Sequence, residues 1–150
     1  MNKILFVCHG NICRSPMAEM VLKHMVEKRG IASCFEIASA ATSTEEIGNP
    51  VYPPARAELA KHGIKCERRG ARQITKRDYA DYDLLIGMDS ANIRNMNRML
   101  GGDPDGKIHL LLEYAGMHRD ISDPWYSGNF DATYSDVTMG CEGLLEYLGY

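Results

Sequence analysis

Four short apolar runs divide the chain, over residues 4–7, 35–38, 84–88 and 108–112. Each run is apolar on both faces, which is typical of strands buried in a parallel sheet. Four helical patterns lie between and after these runs, over residues 16–29, 53–61, 90–100 and 131–147. In each pattern, apolar residues recur three and four positions apart, so one face of each helix is expected to pack on the sheet.

The ends of the helical patterns carry residues that suit helix termini. Prolines lie at the start of the first two patterns, and Gly30 and Gly63 follow their ends. Proline is favoured in a first helical turn and glycine just after a helix. Asp89 or Ser90 is expected to cap the third helix, because short polar side chains accept hydrogen bonds from the first free N–H groups.

Strands that alternate with helices predict right-handed crossovers and a three-layer α/β fold, in which helices cover both faces of a four-stranded parallel sheet. A single domain over residues 1–150 is the expected organisation at this length. In such a fold the ligand site lies beyond the carboxyl ends of the strands. The loop after the first strand and the irregular segment 118–130 after the fourth strand are both expected at that edge.

Composition and charge narrow the class of protein. The net charge of −3 gives no reason to expect a nucleic-acid partner. The first apolar run is too short for a signal-peptide core or a membrane span, and five cysteines cannot all pair within one chain. We therefore expect a cytoplasmic protein with reduced thiols and no membrane partner. Cysteines and histidines lack zinc-site spacing, so no metal is expected, and no pattern specifies an oligomeric state.

The loop after the first strand reads CHGNICRSP and places Cys8 and Arg14 in one short bend. This spacing alone is weak evidence, but Cys8 ends a strand and residues 15–16 begin a helix. Gly10 and Asn11 can both adopt positive φ. A loop of this kind turns backbone N–H groups inward and forms an anion site at the positive end of a helix dipole.

A thiol in that concavity is stabilised as the thiolate, so Cys8 is predicted to be a nucleophile at neutral pH. The planar guanidinium of Arg14 can grip two oxygens of a tetrahedral anion. Ser15 can donate its hydroxyl to the Cys8 sulfur and help the sulfur leave. Cys13 either packs in the interior or forms a reversible disulfide that protects Cys8 from over-oxidation.

Displacement of phosphate from an oxygen leaving group also needs a proton donor, and Asp123 in the sequence DPWY is the best candidate. Pro124 stiffens the backbone after it. The neighbouring aromatic rings are expected to lower the local dielectric and favour a protonated carboxyl. The alternative is an Asp-Pro turn with a purely structural role.

The chain resembles the low-molecular-weight protein tyrosine phosphatases over nearly its whole length. The resemblance rests on CHGNICRSP, on ARQIT at 71–75, on MDSAN at 88–92 and on the late DPWY, in the family's order. It implies a flavodoxin-like fold and hydrolysis of phosphotyrosine in proteins, and of small aryl phosphates. Cys8 would form a phosphocysteine, Arg14 would clamp the phosphate, and Asp123 would act as acid and then base. No cofactor is implied, and the expected partner is a tyrosine-phosphorylated protein.

The resemblance also implies roles for the residues around this centre. Asn11 would hold the unusual backbone of the phosphate-binding loop and would be bonded by Ser39. Trp125 and Tyr126 would wall the slot that accepts a flat phosphorylated ring. The remaining expected phosphate-binding residues are His9, Gly10, Ile12, Cys13 and Ser15.

Three residues depart from the family's pattern. His9 stands where many members have an apolar residue, and Glu45 where many have an aromatic one. Both are expected on the rim of the site, where they bear on substrate preference. Arg69 stands where many members have a histidine that supports the loop from behind, so it bears on how the loop is braced.

Three other functions compete with this prediction. Protein-arginine phosphatases share the scaffold but usually carry threonine where this chain has Ile12. A thiol-dependent arsenate reductase needs a relay of cysteines, and Cys34, Cys66 and Cys141 include no close pair. A phosphoprotein-binding module would require neither a nucleophile nor an acid. The sequence therefore favours the tyrosine phosphatase.

Overall fold

The computed structural model describes all residues, 1–150. The strands are β1 Asn2–Cys8, β2 Phe35–Ala41, β3 Leu84–Gly87 and β4 Ile108–Leu110. The helices are α1 Arg14–Lys28, α2 Pro53–Lys61, α3 Lys76–Asp81, α4 Ser90–Leu100, α5 Pro124–Ser127 and α6 Phe130–Tyr147. None of these helices has both the length and the apolar character needed to cross a bilayer.

The four strands form one parallel sheet in the order β2-β1-β3-β4. The chain moves to one side of β1 to form β2 and to the other side to form β3. The strand order therefore reverses at the carboxyl end of β1, and a reversal of this kind opens a crevice at that edge of the sheet. The predicted α/β fold with a four-stranded parallel sheet is confirmed.

The side chains of β1 alternate between two hydrophobic cores. Ile4, Phe6 and Cys8 face the larger core, which α1, α2 and α6 complete. Leu5 and Val7 face the smaller core, to which α4 contributes. Each large apolar side chain buried in this way stabilises the fold by roughly 1.5–3 kcal/mol, so the register of β1 is strongly fixed. The same alternation places the Cys8 thiol on the side of α1.

Two predicted strands end earlier than expected. β3 ends at Gly87, and β4 ends at Leu110 because residues 111–115 turn into a 3₁₀ helix. The turn packs closely against α6, where a Cβ on Gly140 or Gly143 would collide with Leu111 or Tyr114. An apolar run cannot by itself distinguish a strand from a buried turn. The end of β4 could therefore not be predicted without knowing how α6 packs.

The segment 118–130 is more ordered than its sequence indicated. The helical turn α5 lies inside it, and Phe130 already belongs to α6. α3 was also not predicted. It begins with a capping box in which Thr75 and Asp78 satisfy each other's free N–H groups. Both helices are too short to show a 3.6-residue apolar period, which explains why the pattern missed them.

Candidate active site

The loop between β1 and α1 curves around the Cys8 thiol. Asn11 is the one residue other than glycine with positive φ, at 60°, a conformation that asparagine tolerates better than most residues. The expectation of positive φ at Gly10 is wrong. A Cβ at Gly10 would lie 3.4 Å from Cγ of Glu46, an ordinary contact distance, so the space there does not require glycine either.

Hydrogen-bond donors converge on the space above the Cys8 sulfur. The Asn11 N–H donates to Sγ at 3.3 Å, and Oγ of Ser15 lies 3.0 Å from the same sulfur. The other backbone N–H groups of the loop donate to no acceptor within the protein; they belong to His9, Gly10, Ile12, Cys13 and Arg14. These donors and the positive end of α1 make the loop a cradle for an anion.

Asn11 is fully buried and holds the loop through both ends of its side chain. Its amide nitrogen donates to Ser15 Oγ at 2.8 Å and to Ser39 Oγ at 2.9 Å. Arg69 donates to the Asn11 carbonyl oxygen at 2.9 Å and also to its side-chain oxygen. Left-handed backbone is costly unless the surroundings enforce it, and these contacts do so. The guanidinium of Arg69 thus braces the loop.

A buried carboxylate lies beneath this loop. Ser39 donates to Glu19 Oε1 at 2.5 Å, and Lys23 donates to Glu19 Oε2 at 2.7 Å and to Glu67 at 3.0 Å. Glu19 is only 6% exposed, so it needs these partners to remain charged. Sequence reasoning missed Glu19. The available signal was a charged residue on the apolar face of α1.

Arg14 is also buried, at 3% exposure, and its guanidinium points toward the cradle's mouth. Nη1 donates to Asp89 Oδ2 at 2.7 Å and to the Ile121 carbonyl at 2.9 Å, and Nη2 lies 3.5 Å from Asp123 Oδ2. Burial opposes the charged form, but the neighbouring Cys8 and Asp89 raise the pKa of Arg14 above its ordinary value. Asp89 therefore orients the cation as well as capping α4. The sequence predicted only the capping.

Asp123 lies at the edge of the cradle with a side chain that is 26% exposed. Its Oδ1 accepts the Trp125 N–H at 3.1 Å. Trp125 and Tyr126 are 52% and 86% exposed, so the rings do not enclose the carboxyl as expected. Trp125 instead packs against Tyr52, with ring centroids 4.8 Å apart. Tyr52 lies far away in the sequence, and no sequence pattern connected it to this site.

Two of the residues that depart from the family's pattern pair with each other on the rim. His9 Nε2 lies 2.9 Å from Glu45 Oε2. Glu46 lies beside them and accepts the Asn49 amide at 2.5 Å. The pocket above Cys8 brings the candidate residues together; its lining is Cys8, His9, Gly10, Ile12, Cys13, Arg14, Glu45, Glu46, Asp123, Trp125 and Tyr126. The mouth of this anion cradle therefore carries carboxylates.

Cys13 is a buried thiol next to this pocket, 5% exposed. Burial, together with the nearby Cys8, raises the pKa of Cys13 to about 12. A thiol that stays protonated at neutral pH is a poor nucleophile, so Cys13 does not compete with Cys8 for an electrophile. All five cysteines are unpaired.

Comparisons with known proteins agree with this geometry. The family model described as low molecular weight phosphotyrosine protein phosphatase matches residues 3–149. The low molecular weight protein-tyrosine-phosphatase YfkJ of Bacillus subtilis is 37% identical over 147 residues, covering 97% of this chain and 94% of that protein. Its crystal structure superposes with a TM-score of 0.95 over 99% of this chain and 94% of that chain.

Two further solved structures bear on the reaction. The low molecular weight protein tyrosine phosphatase from Streptococcus pyogenes is 40% identical, with a TM-score of 0.90 over 100% of this chain and 95% of that chain. The Drosophila arginine phosphatase is 33% identical, with a TM-score of 0.90 over 99% of this chain and 98% of that chain. The same fold thus occurs in proteins described as tyrosine phosphatases and in one described as an arginine phosphatase.

Proposed function

We propose that this chain, which belongs to the low molecular weight phosphotyrosine protein phosphatase family, hydrolyses phosphotyrosine in proteins, and small aryl phosphates, through a phosphocysteine on Cys8. One observation carries the proposal. The Cys8 thiol sits at the base of a loop in which the N–H groups of His9, Gly10, Ile12, Cys13 and Arg14 have no acceptor in the protein, with the Arg14 guanidinium beside it. A phosphoryl group would supply the missing acceptors and meet the nucleophile at the same time.

The proposed enzyme is a single domain over residues 1–150, in line with a family match that spans 3–149. The chemistry draws on amino-acid side chains alone, so no cofactor enters the reaction. A cytoplasmic location suits a thiol enzyme whose five cysteines are all unpaired, because that compartment keeps thiols reduced.

In the first step, the Cys8 thiolate attacks phosphorus and the bond from phosphorus to the tyrosine oxygen breaks. Arg14 and the loop N–H groups hold the equatorial oxygens, where charge accumulates in the transition state. Asp123 gives its proton to the departing phenolate. Its position 3.5 Å from Arg14 puts the acid next to the bound phosphoryl group.

In the second step, Asp123 is ionised and takes a proton from water, whose oxygen attacks the phosphocysteine. The sulfur–phosphorus bond breaks and inorganic phosphate is released. Ser15, 3.0 Å from the sulfur, and the Asn11 N–H, at 3.3 Å, stabilise the departing thiolate. The cycle restores the enzyme with Asp123 protonated and Cys8 ionised.

The apolar lining favours an aromatic leaving group over a guanidinium. Ile12 presents an aliphatic side chain to the pocket and offers no hydrogen bond to a phosphoarginine nitrogen. Trp125 and Tyr126 add aromatic side chains to the same lining. Purified enzyme should therefore hydrolyse an aryl phosphate and a phosphotyrosine peptide. Phosphoarginine and arsenate are assayed in parallel, and preference for either one would overturn the proposed substrate.

Asp123→Asn is expected to lose activity to a degree that depends on the leaving group. Phosphotyrosine releases a basic phenolate that needs a proton, so kcat should fall by roughly 10²–10⁴-fold, the usual contribution of a general acid. An ester of a more acidic phenol, such as 4-nitrophenyl phosphate, should lose much less. Steady-state kcat on both substrates measures the difference.

The matched control for this prediction is Asp120→Asn, which removes a nearby carboxylate that binds Ser90 rather than Arg14. It should leave the ratio of the two rates unchanged. Equal losses on both esters in Asp123→Asn would argue against general acid catalysis by this residue.

Glu45 is expected to bias the enzyme toward phosphotyrosine flanked by lysine or arginine. Its carboxylate lies on the rim beside Glu46, and an exposed ion pair is worth about 0.2–1 kcal/mol, so the preference in kcat/KM should be up to about fivefold. Salt should weaken it, because exposed charges are screened. Two phosphotyrosine peptides with basic or acidic flanks, assayed at low and high salt, measure the effect.

Glu45→Gln removes the charge but keeps an oxygen that His9 can still bond. The preference should shrink in this variant at low salt, and it should persist in Glu142→Gln, which removes a carboxylate from an exposed position of α6. A wild-type preference for the acidic peptide, or an unchanged ratio in Glu45→Gln, would mean that Glu45 has no part in specificity.

A further inference from the structure

A second cavity is lined in part by Arg69, the residue that braces the phosphate-binding loop through Asn11. It measures about 620 Å³, within the range of about 300–1,000 Å³ that is typical of small-molecule sites. We call it the arginine groove. Three arginines line it, and small apolar residues line the rest; they are Arg56, Arg68 and Arg69, and Pro50, Val51, Pro53, Ala57 and Ala60.

No carboxylate lines the arginine groove. The salt bridges that arginines form in this protein involve Arg14, Arg72, Arg77 and Arg119. The acidic residues nearest in sequence are engaged elsewhere: Glu58 pairs with Lys61 and His62, and Glu67 pairs with Lys23. In a chain with a net charge of −3, the groove therefore brings together three arginines that form no salt bridge.

Two local features add to this field. Arg56 lies in the first turn of α2, which holds no acidic residue, and the positive end of a helix dipole also favours an anion. Arg69 is partly buried, and burial lowers its pKa, a shift that the charge of Glu19 offsets only in part. An anion bound here would face the positive end of the α2 dipole, and it would compensate the Arg69 guanidinium for its loss of water.

We propose that the arginine groove is a second anion site, separate from the phosphate-binding loop, which takes a small organic phosphate carrying at least two negative charges. The guanidinium groups would hold the phosphate oxygens in paired hydrogen bonds. Pro50, Val51 and Pro53 would cover the organic part. Arg69 can take part because a guanidinium has five N–H donors and Asn11 engages only two. A ligand bound in the groove would therefore also restrain the Arg69 side chain, which braces the phosphate-binding loop.

The test uses the intact enzyme labelled uniformly with ¹⁵N, so that backbone amides and arginine Nε–H groups are both observed, and titrates it with pyrophosphate, ADP and adenosine. ADP should shift the Nε–H signals of Arg56 and Arg68, pyrophosphate should bind more weakly, and adenosine should not bind. By calorimetry, Arg56→Gln/Arg68→Gln should weaken ADP binding at least tenfold. Arg94→Gln/Arg98→Gln, with the same change of charge on exposed positions of α4, should leave it unchanged.

Both double variants should keep wild-type turnover of an aryl phosphate, because none of the four arginines lines the Cys8 pocket. Equal ADP binding by the two double variants would overturn the proposal, as would shifts confined to Gly10 and Ile12 in the phosphate-binding loop. If pyrophosphate binds as tightly as ADP, the claim that the groove also binds the organic part of the ligand is wrong. Since binding is read without turnover, these outcomes hold whether or not the proposed phosphatase reaction is correct.

Discussion

Cys8→Ser is expected to lower kcat for an aryl phosphate by on the order of 10⁴-fold or more, the scale of loss when an enzyme's nucleophile is removed. A serine hydroxyl stays protonated at neutral pH and has no general base here to activate it. The nearest polar groups are the Ser15 hydroxyl and the Asn11 N–H, and neither is basic enough to remove a proton. Steady-state kinetics on 4-nitrophenyl phosphate measures the loss.

Binding of inorganic phosphate to Cys8→Ser should stay within a few-fold of wild type, because the loop N–H groups and Arg14 remain. Calorimetry measures it. Cys34→Ser is the matched control, since this half-buried thiol lies outside the pocket and its loss should leave turnover unchanged. Turnover within tenfold of wild type in Cys8→Ser would remove Cys8 from the mechanism. Loss of phosphate binding would show that the sulfur, rather than the amides, organises the cradle.

Most of the fold follows from the sequence because parallel strands in a three-layer protein are buried on both faces. Such runs are mainly apolar, interrupted here only by Glu36 in β2 and His109 in β4, and each run was found in the observed sheet. The predicted strand ends were wrong where tertiary packing decides them. Leu111, for example, was predicted in β4 but lies in the 3₁₀ helix that packs against Gly140 of α6. α3 and α5 escaped prediction because they are shorter than two helical periods of apolar residues.

The candidate site was predictable to the extent that it is contiguous. Cys8 and Arg14 share one loop, and Asp123 stands out because an acid precedes a proline on the same edge of the sheet. Asp89, Glu19 and their bonds to Arg14 and Ser39 were not predictable, because partners 20 to 75 positions apart meet only after folding. Likewise, the pairing of His9 with Glu45 on the rim appears only in three dimensions.

Arg14→Lys is the variant for which these tertiary contacts matter most. A lysine ammonium is a point charge, so it cannot hold Asp89 and the Ile121 carbonyl while also presenting two N–H groups to a phosphoryl group. Loss of one such donor in a buried oxyanion site costs about 2.7–4 kcal/mol, or about 10²–10³-fold in rate. We expect kcat/KM for the aryl phosphate to fall by that factor.

The affinity for inorganic phosphate is expected to differ between Arg14→Lys and Cys8→Ser. In the proposed mechanism Arg14 grips the phosphoryl oxygens in the ground state as well as the transition state, so Arg14→Lys should also weaken the binding of inorganic phosphate in the calorimeter. Arg119→Lys is the control, because Arg119 forms a two-bond pair with Asp136, at 2.8 Å for each bond, on an exposed surface. An exposed pair is worth about 0–1 kcal/mol, so that variant should unfold at nearly the wild-type temperature and keep full activity. Near-normal turnover in Arg14→Lys would show that positive charge alone suffices, and that the planar fork held by Asp89 has no part in stabilising the transition state.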